Sequence, residues 1–183
     1  MRGKHIRGRL ALISLELLPA LYALTGRGGR PDDFRAHEDF SPLELELAEA
    51  LLEAGPQTGP ELRFLIGAIH AKVCKRALES LQRSLVVTQA GEQEQDAGWD
   101  AAVFDLLARR YRSSLGRLPR PEKARSQLVV ALLRGGEEIS AADAAAVYGF
   151  TAKEAAAVLD ELVEEGRAVR RDDEELALWA SRS

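Results

Sequence analysis

Apolar residues recur at spacings of three and four over most of the chain, and alternate only in short stretches, so helices dominate the pattern. Leu43, Leu47, Ala50 and Leu51 form one stripe, opened by Ser41-Pro42 with Glu44 completing a capping box and closed by Gly55-Pro56. Thr58 and Glu61 repeat that start signal for a short helix over about Pro60–Ile66. After Gly67 the spacing predicts a helix over about Ile69–Ser84, with Cys74, Leu78, Leu81 and Leu85 inward. Val86-Val87-Thr88 reads as a strand, and Trp99–Leu107 as a return strand that continues into a helix ending near Arg112.

The same order returns further on. A helix over about Glu122–Leu133 stops at Gly135-Gly136, Ser140 with Asp143 caps a second, and Thr151 with Glu154 caps a third that ends at Gly166. Arg167–Arg171 and Glu175–Trp179 then pair as a hairpin across Asp172-Asp173-Glu174. The N-terminal part is less regular: residues 1–9 are basic and punctuated by glycine, Leu10–Ser14 reads as a strand and Leu15–Thr25 as a short helix. The expected fold is therefore mainly α (α+β), with tandem winged-helix domains. A basic segment, 1–40, packs on a first domain, 41–112, and a linker, 113–121, leads to a second domain, 122–183.

Charge refines this picture. The net charge is −4, yet residues 1–35 hold seven Lys/Arg against three acids, while residues 121–183 hold eight against thirteen. Any polyanion surface must therefore be local. Lys72, Lys75, Arg76, Gln82 and Arg83 are expected on the face of their helix opposite the leucines, where a recognition helix would meet phosphates and base edges of double-stranded DNA. An ordinary solvated face, with Glu79 pairing the nearby cations, explains the same pattern. Arg109, Arg110 and Arg112, with Arg7 and Arg9, are the further backbone-tracking candidates. Against them stand the carboxylates of the first hairpin loop, Glu92, Glu94 and Asp96, and the acidic third helix of the second domain, which favours a protein partner there.

Other chemistry is sparse. His5, His37 and His70 lie far apart in sequence with no metal-ligand spacing, and Thr25-Gly-Arg-Gly-Gly-Arg lacks the ending of a phosphate loop, so neither metal nor cofactor is implied. The single Cys74 reads as a small core residue and suits a reducing, cytoplasmic setting. Trp99 and Trp179 read as core plugs beside each hairpin. The apolar run near the N-terminus, broken by Ser14 and Glu16, is too short to span a bilayer.

Several phrases resemble the AlkZ/YcaQ-type winged-helix DNA glycosylases: RGRLALISLELLPALYALTGR (7–27) with PDDFR (31–35), ELR (61–63), ALESLQRSLVVTQAG (77–91), GWDAAVFDLLARRY (98–111) and DAAAVYGFTAKEAAAVLDELVEEG (143–166). The resemblance spans nearly the whole chain and implies a tandem winged-helix scaffold on duplex DNA, related to enzymes that hydrolyse the N-glycosidic bond of alkylated or crosslinked bases. It also implies a catalytic Gln-x-Gln or Gln-x-Asp pair with an apolar centre, N-terminal to anything in this sequence. Gln93-Glu94-Gln95 has the spacing but a charged centre and a hairpin position, so no catalytic role is carried onto it. The expectation is a DNA-binding protein of this scaffold without its own catalytic pair. A protein–protein adaptor and an active glycosylase are the alternatives.

Overall fold

The computed structural model describes residues 1–6, 9–36, 39–67, 70–94, 100–135, 138–172 and 177–181. It is a mixed α/β chain of two compact units, Met1–Leu18 with Thr25–Leu118, and Pro19–Leu24 with Pro119–Ser183. Of the N-terminal forty residues, therefore, six group with the second unit: they lie in the helix α1 (Leu18–Ala23) and just beyond it. No described helix is long and apolar enough to cross a membrane.

In the first unit, α2 (Pro42–Ala54) and α3 (Gly59–Leu65) each start on a complete capping box, Ser41 with Glu44 and Thr58 with Glu61. Each box satisfies backbone N–H groups that a helix start leaves without partners. Burial would raise the Glu44 carboxyl, but hydrogen bonds from Ser41 and Ser80, with Arg83 nearby, hold it below the usual range. Helix α4 (Ala71–Arg83) follows and turns Cys74, Ala77, Leu78 and Leu81 into a core with Leu47, Leu51, Leu62 and Val87. Residues 71–83 thus bury one stripe at helical spacing, as the pattern predicts.

The chain leaves α4 through a Schellman closure: Val86 N–H donates to the Leu81 carbonyl and Leu85 N–H to that of Gln82. Leu85 occupies the left-handed position, φ 57°, that glycine usually takes. Strand β4 (Val87–Gln93) then pairs antiparallel with β5 (Ala101–Leu106), with Ala90 as an extra residue between Gln89↔Phe104 and Gly91↔Val103. Trp99, expected to open the return strand, lies outside the described residues. Leu107–Arg110 and Arg112–Leu115 continue as short helices α5 and α6, so residues 113–115 are helical and Leu115 is buried.

Residues 1–9 depart most from expectation. They supply β1 (Arg2–Ile6) and the start of β2 (Arg9–Leu12), giving a five-stranded sheet ordered β2-β1-β4-β5-β3, where β3 is Gln57–Thr58. The reason is tertiary: β1 pairs with β2 and touches β4 at Arg2↔Gln89, and it sits over one flank of α4. There the Lys4 N–H donates to Gln82 Oε1 at 3.0 Å, and His5 Nδ1 lies 2.7 Å from the Gln82 carbonyl. Because a carbonyl only accepts, that ring nitrogen carries the proton. A Cβ at Gly3 would stand 2.3 Å from His5 Nε2, so glycine there lets the imidazole turn inward.

The second unit repeats the order. Helix α7 (Pro121–Gly135), strand β6 (Ile139–Ser140), helices α8 (Ala141–Tyr148) and α9 (Ala152–Glu164), and the hairpin β7 (Ala168–Asp172) and β8 (Ala177–Ser181) form a sheet ordered β6-β8-β7. Capping boxes at Ser140/Asp143 and Thr151/Glu154 again start the helices. The α9 closure copies that of α4, with Gly166 (φ 70°) in the left-handed position and Arg167 N–H on the Leu162 carbonyl. Trp179 is buried against Val129, Leu159 and Leu162 in this unit's core.

Burial pushes the His5 imidazole below its ordinary value of 6.5, opposed in part by the Gln82 and Arg2 carbonyls. The unfolded chain then binds more protons than the folded one just below pH 6.5, so stability is full above that pH and falls as pH drops through the lowered folded value. Urea unfolding followed from pH 7.5 to 5 should show that loss, and His5→Gln should flatten it; identical profiles would contradict the assignment. Gly166→Ala in the second unit should cost about 1 kcal/mol through its positive φ, against less than about 0.5 for Gly59→Ala in the first, read as thermal shifts.

Candidate nucleic-acid interface

Four of the expected α4 residues reach solvent. At 100° per residue, Lys72, Arg76, Glu79 and Arg83 fall within one outward quadrant, and Lys75 sits on the flank facing the hairpin. Lys72, Lys75, Arg76 and Arg83 are exposed, and among the described residues none has a carboxylate within 4 Å. Glu79, the acid on that face, is taken by Lys4 Nζ at 2.6 Å, and this hydrogen bond holds its carboxyl below the usual range. The outward surface of α4 therefore keeps its positive charge because β1 supplies a cation to neutralise the acid.

Gln82 is not on that surface. It is 4% exposed, accepts from the Lys4 backbone and donates to the Leu78 carbonyl at 3.3 Å. The correction follows from its angular position on the flank beside Leu78, which β1 covers. Arg109 also differs from expectation: its guanidinium forms a short ion pair with the buried Asp105 and reaches the Leu52 carbonyl at 3.3 Å, so it braces α5 against β5 and α2. Arg110 and Arg112 are exposed, with Arg110 5.9 Å from the Tyr111 ring centre. Arg9 lies in β2, its side chain outside the described set, and Arg7 lies outside the described residues.

The cations border two recesses. Lys75 borders a recess of about 420 Å³ between α3, α4 and β5, together with Arg63, Lys4 and Glu79. Arg110 borders a separate recess of about 400 Å³ at the base of the hairpin, with Arg2, Glu92 and Tyr111. Arg63 was not anticipated: it lies on a seven-residue helix, and only folding sets it opposite Lys75. The hairpin acid Glu92, expected to repel phosphate, is paired with Arg2 at 2.7 Å, while Glu94 is exposed and Asp96 lies outside the described residues.

The second unit spends four of its arginines on its own carboxylates. Arg125 pairs with Glu154 at 2.9 Å, Arg167 with Glu165 at 2.9 Å and Arg171 with Glu138 at 2.7 Å. Arg170 lies between Asp160 and Asp172, 5.3 Å from the Trp179 ring centre. Glu161 and Glu164 remain exposed on α9, leaving that face acidic. Cys74 is buried in the first unit with its thiol pushed up by desolvation, which leaves it unreactive. Among the described residues no three His, Cys, Asp or Glu side chains gather as a metal site.

The family model described as DNA glycosylase AlkZ-like matches residues 5–183. Among solved structures, the DNA glycosylase AlkZ of Streptomyces sahachiroi matches with a TM-score of 0.61 at 18% identity, over 99% of this chain and 52% of that one. The chain accordingly spans about half the length of that glycosylase. The DIP2311 protein of Corynebacterium diphtheriae matches at 18% identity over 75% of this chain and 26% of that one, with a TM-score of 0.31, too slight a likeness to carry an argument. No curated protein matches the sequence. With the family model matching residues 5–183 and the fold in agreement, this protein belongs to the AlkZ-like DNA glycosylase family.

Proposed function

We propose that this chain is a double-stranded DNA-binding protein of the repair-glycosylase scaffold, built from two winged helices, with α4 as the recognition helix. The observation that carries this reading is the exposed quartet Lys72, Lys75, Arg76 and Arg83, without a carboxylate in ion-pair range among the described residues. Cations set on a convex helix can approach phosphates and the major-groove edges of bases. The order of α2, β3, α3, α4 and the β4–β5 hairpin, repeated in α7 to β8, supports the winged-helix assignment of both units. Family membership supports a role in DNA repair.

The two units divide the work in this reading. The first binds the polyanion through α4, with Arg110 and Arg112 as auxiliary phosphate contacts. The second, with Arg125, Arg167, Arg170 and Arg171 paired and α9 acidic, adds no DNA contact through α9, because an acidic face near phosphates is repelled. A second reading, base excision by this chain, is favoured by family membership alone and is assigned to no residue described above.

Fluorescence anisotropy with a labelled duplex tests both readings. Each phosphate contact contributes roughly −0.9 to the slope of log affinity against log salt, so the α4 quartet alone gives a slope of about −3.6 and the two auxiliary arginines steepen it to about −5.4. Lys75→Glu with Arg76→Glu should abolish measurable duplex binding at low salt, while Lys153→Glu on α9 should leave it unchanged. Unaltered affinity in the double variant would remove the model. Incubation with alkylated duplex should yield no abasic sites; base release would establish the excision reading.

A further inference from the structure

The recess of about 420 Å³ beside α4 is lined by one flank of that helix together with α3 and β5. On α4 its residues are Ala71, Cys74, Lys75, Leu78, Glu79 and Gln82, the spacing of three and four that marks a single side. The space is left because small residues meet there: Gly59 from α3, Ala71 from α4, and Ala101 and Ala102 from β5. Leu78, Pro60 and the half-buried Phe104 make the lining apolar. Burial keeps the Cys74 thiol protonated, so no charge enters at that point. Charge collects at the mouth instead. Lys4 and Glu79 neutralise each other there at 2.6 Å. Arg63 and Lys75 have no carboxylate in ion-pair range among the described residues, and the Arg63 guanidinium lies close enough to Cys74 to pull against the thiol's desolvation.

An apolar lining beneath two uncompensated cations calls for a ligand with a hydrocarbon body and one negative head. The head is a carboxylate: the Arg63 fork matches its two oxygens, with Lys75 as a point charge beside it. A dianion such as a phosphate monoester would bring a second negative charge towards Glu79. The body is an alkyl chain, because a ring-stacking seat needs flat partners on two sides and Phe104 is the one ring among the described lining residues. About 420 Å³ is at the small end of ligand sites, enough for a chain of roughly eight to ten carbons and too little for a helix or strand. We propose that this recess binds one medium-chain fatty acid, with its chain against Leu78 and Phe104 and its carboxylate between Arg63 and Lys75.

Lys75 also belongs to the cationic face of α4, so an acid seated here neutralises one of the charges offered to DNA. The fatty acid is thus an antagonist of duplex binding. That consequence rests on the DNA-binding reading above, whereas occupancy of the recess does not. Calorimetric titration of the whole chain with sodium decanoate, below its micelle concentration, should show one saturable site. Octanoate should bind roughly tenfold more weakly, since each buried methylene contributes up to about fourfold. 1-Decanol, the same chain without the charge, should also bind about tenfold more weakly than decanoate. Arg63→Gln and Lys75→Gln should each weaken decanoate about tenfold and leave 1-decanol within about twofold. Ala102→Leu, which fills the lining, should abolish binding of both. Ala71→Leu, at an exposed position on the rim, repeats the test where folding is not at issue, and circular dichroism checks both variants. Saturating decanoate should weaken duplex binding and make its salt slope shallower by about 0.9.

Absence of saturable decanoate binding would overturn the fatty-acid site while leaving DNA binding intact. Equal affinity for decanoate and 1-decanol would overturn it as well, and so would binding that survives both leucine variants, because the acid would then lie elsewhere. Bound decanoate with unaltered duplex affinity would overturn the antagonism. A chain that takes decanoate but no duplex would remove the DNA-binding reading and leave the fatty-acid site standing.

Discussion

The first unit depends on how α4 is held. Its leucine face is fixed by the apolar core, and a second flank is fixed by β1 through the Gln82 side chain and carbonyl and through the Lys4–Glu79 ion pair. A helix constrained on two flanks has one rotation about its axis, and that rotation decides which side chains stay outside. Lys72, Arg76 and Arg83 project to solvent, and Lys75 turns towards the hairpin, because the remaining directions are occupied. The buried polar contacts matter here more than their number implies, since a dry amide or imidazole without its partner costs more than the bond contributes.

Charge follows the same logic. The net value of −4 conceals a division of labour: acids are neutralised by nearby cations where a positive surface is kept, and cations are neutralised by acids where an acidic surface is kept. Lys4 removes Glu79 from the α4 face and Arg2 removes Glu92 from the hairpin, whereas Arg125, Arg167, Arg170 and Arg171 are each absorbed by carboxylates of the second unit. These pairs are open to solvent and contribute little to stability. Their effect is on the field presented outside.

The two units use one local grammar for different ends. Capping boxes begin two helices of each unit and a Schellman closure turns the third helix of each into its hairpin. The second unit places Gly166 at the left-handed position, and the first places Leu85 there, with its side chain buried. What differs is the exposed face: α4 is cationic beside an open recess, and α9 is acidic.

Much of the fold was legible in the chain itself, because caps and helix stripes are written in residues three and four apart. Ser41/Glu44, Thr58/Glu61, Ser140/Asp143 and Thr151/Glu154 located helix starts within a residue, and the leucines of α4 identified its buried side. Strand β1 was not legible, since Arg2–Ile6 lacks an apolar alternation and becomes a strand only by pairing with distant partners. From that one long-range pairing follow the burial of Gln82, the neutralisation of Glu79 and the inward turn of His5. The recess and Arg63 likewise emerged only when α3, α4 and β5 were brought together. Local hydrogen bonding and periodicity are encoded between near neighbours, whereas which charges cancel and where space is left open depend on contacts between residues as far apart as Lys4 and Glu79.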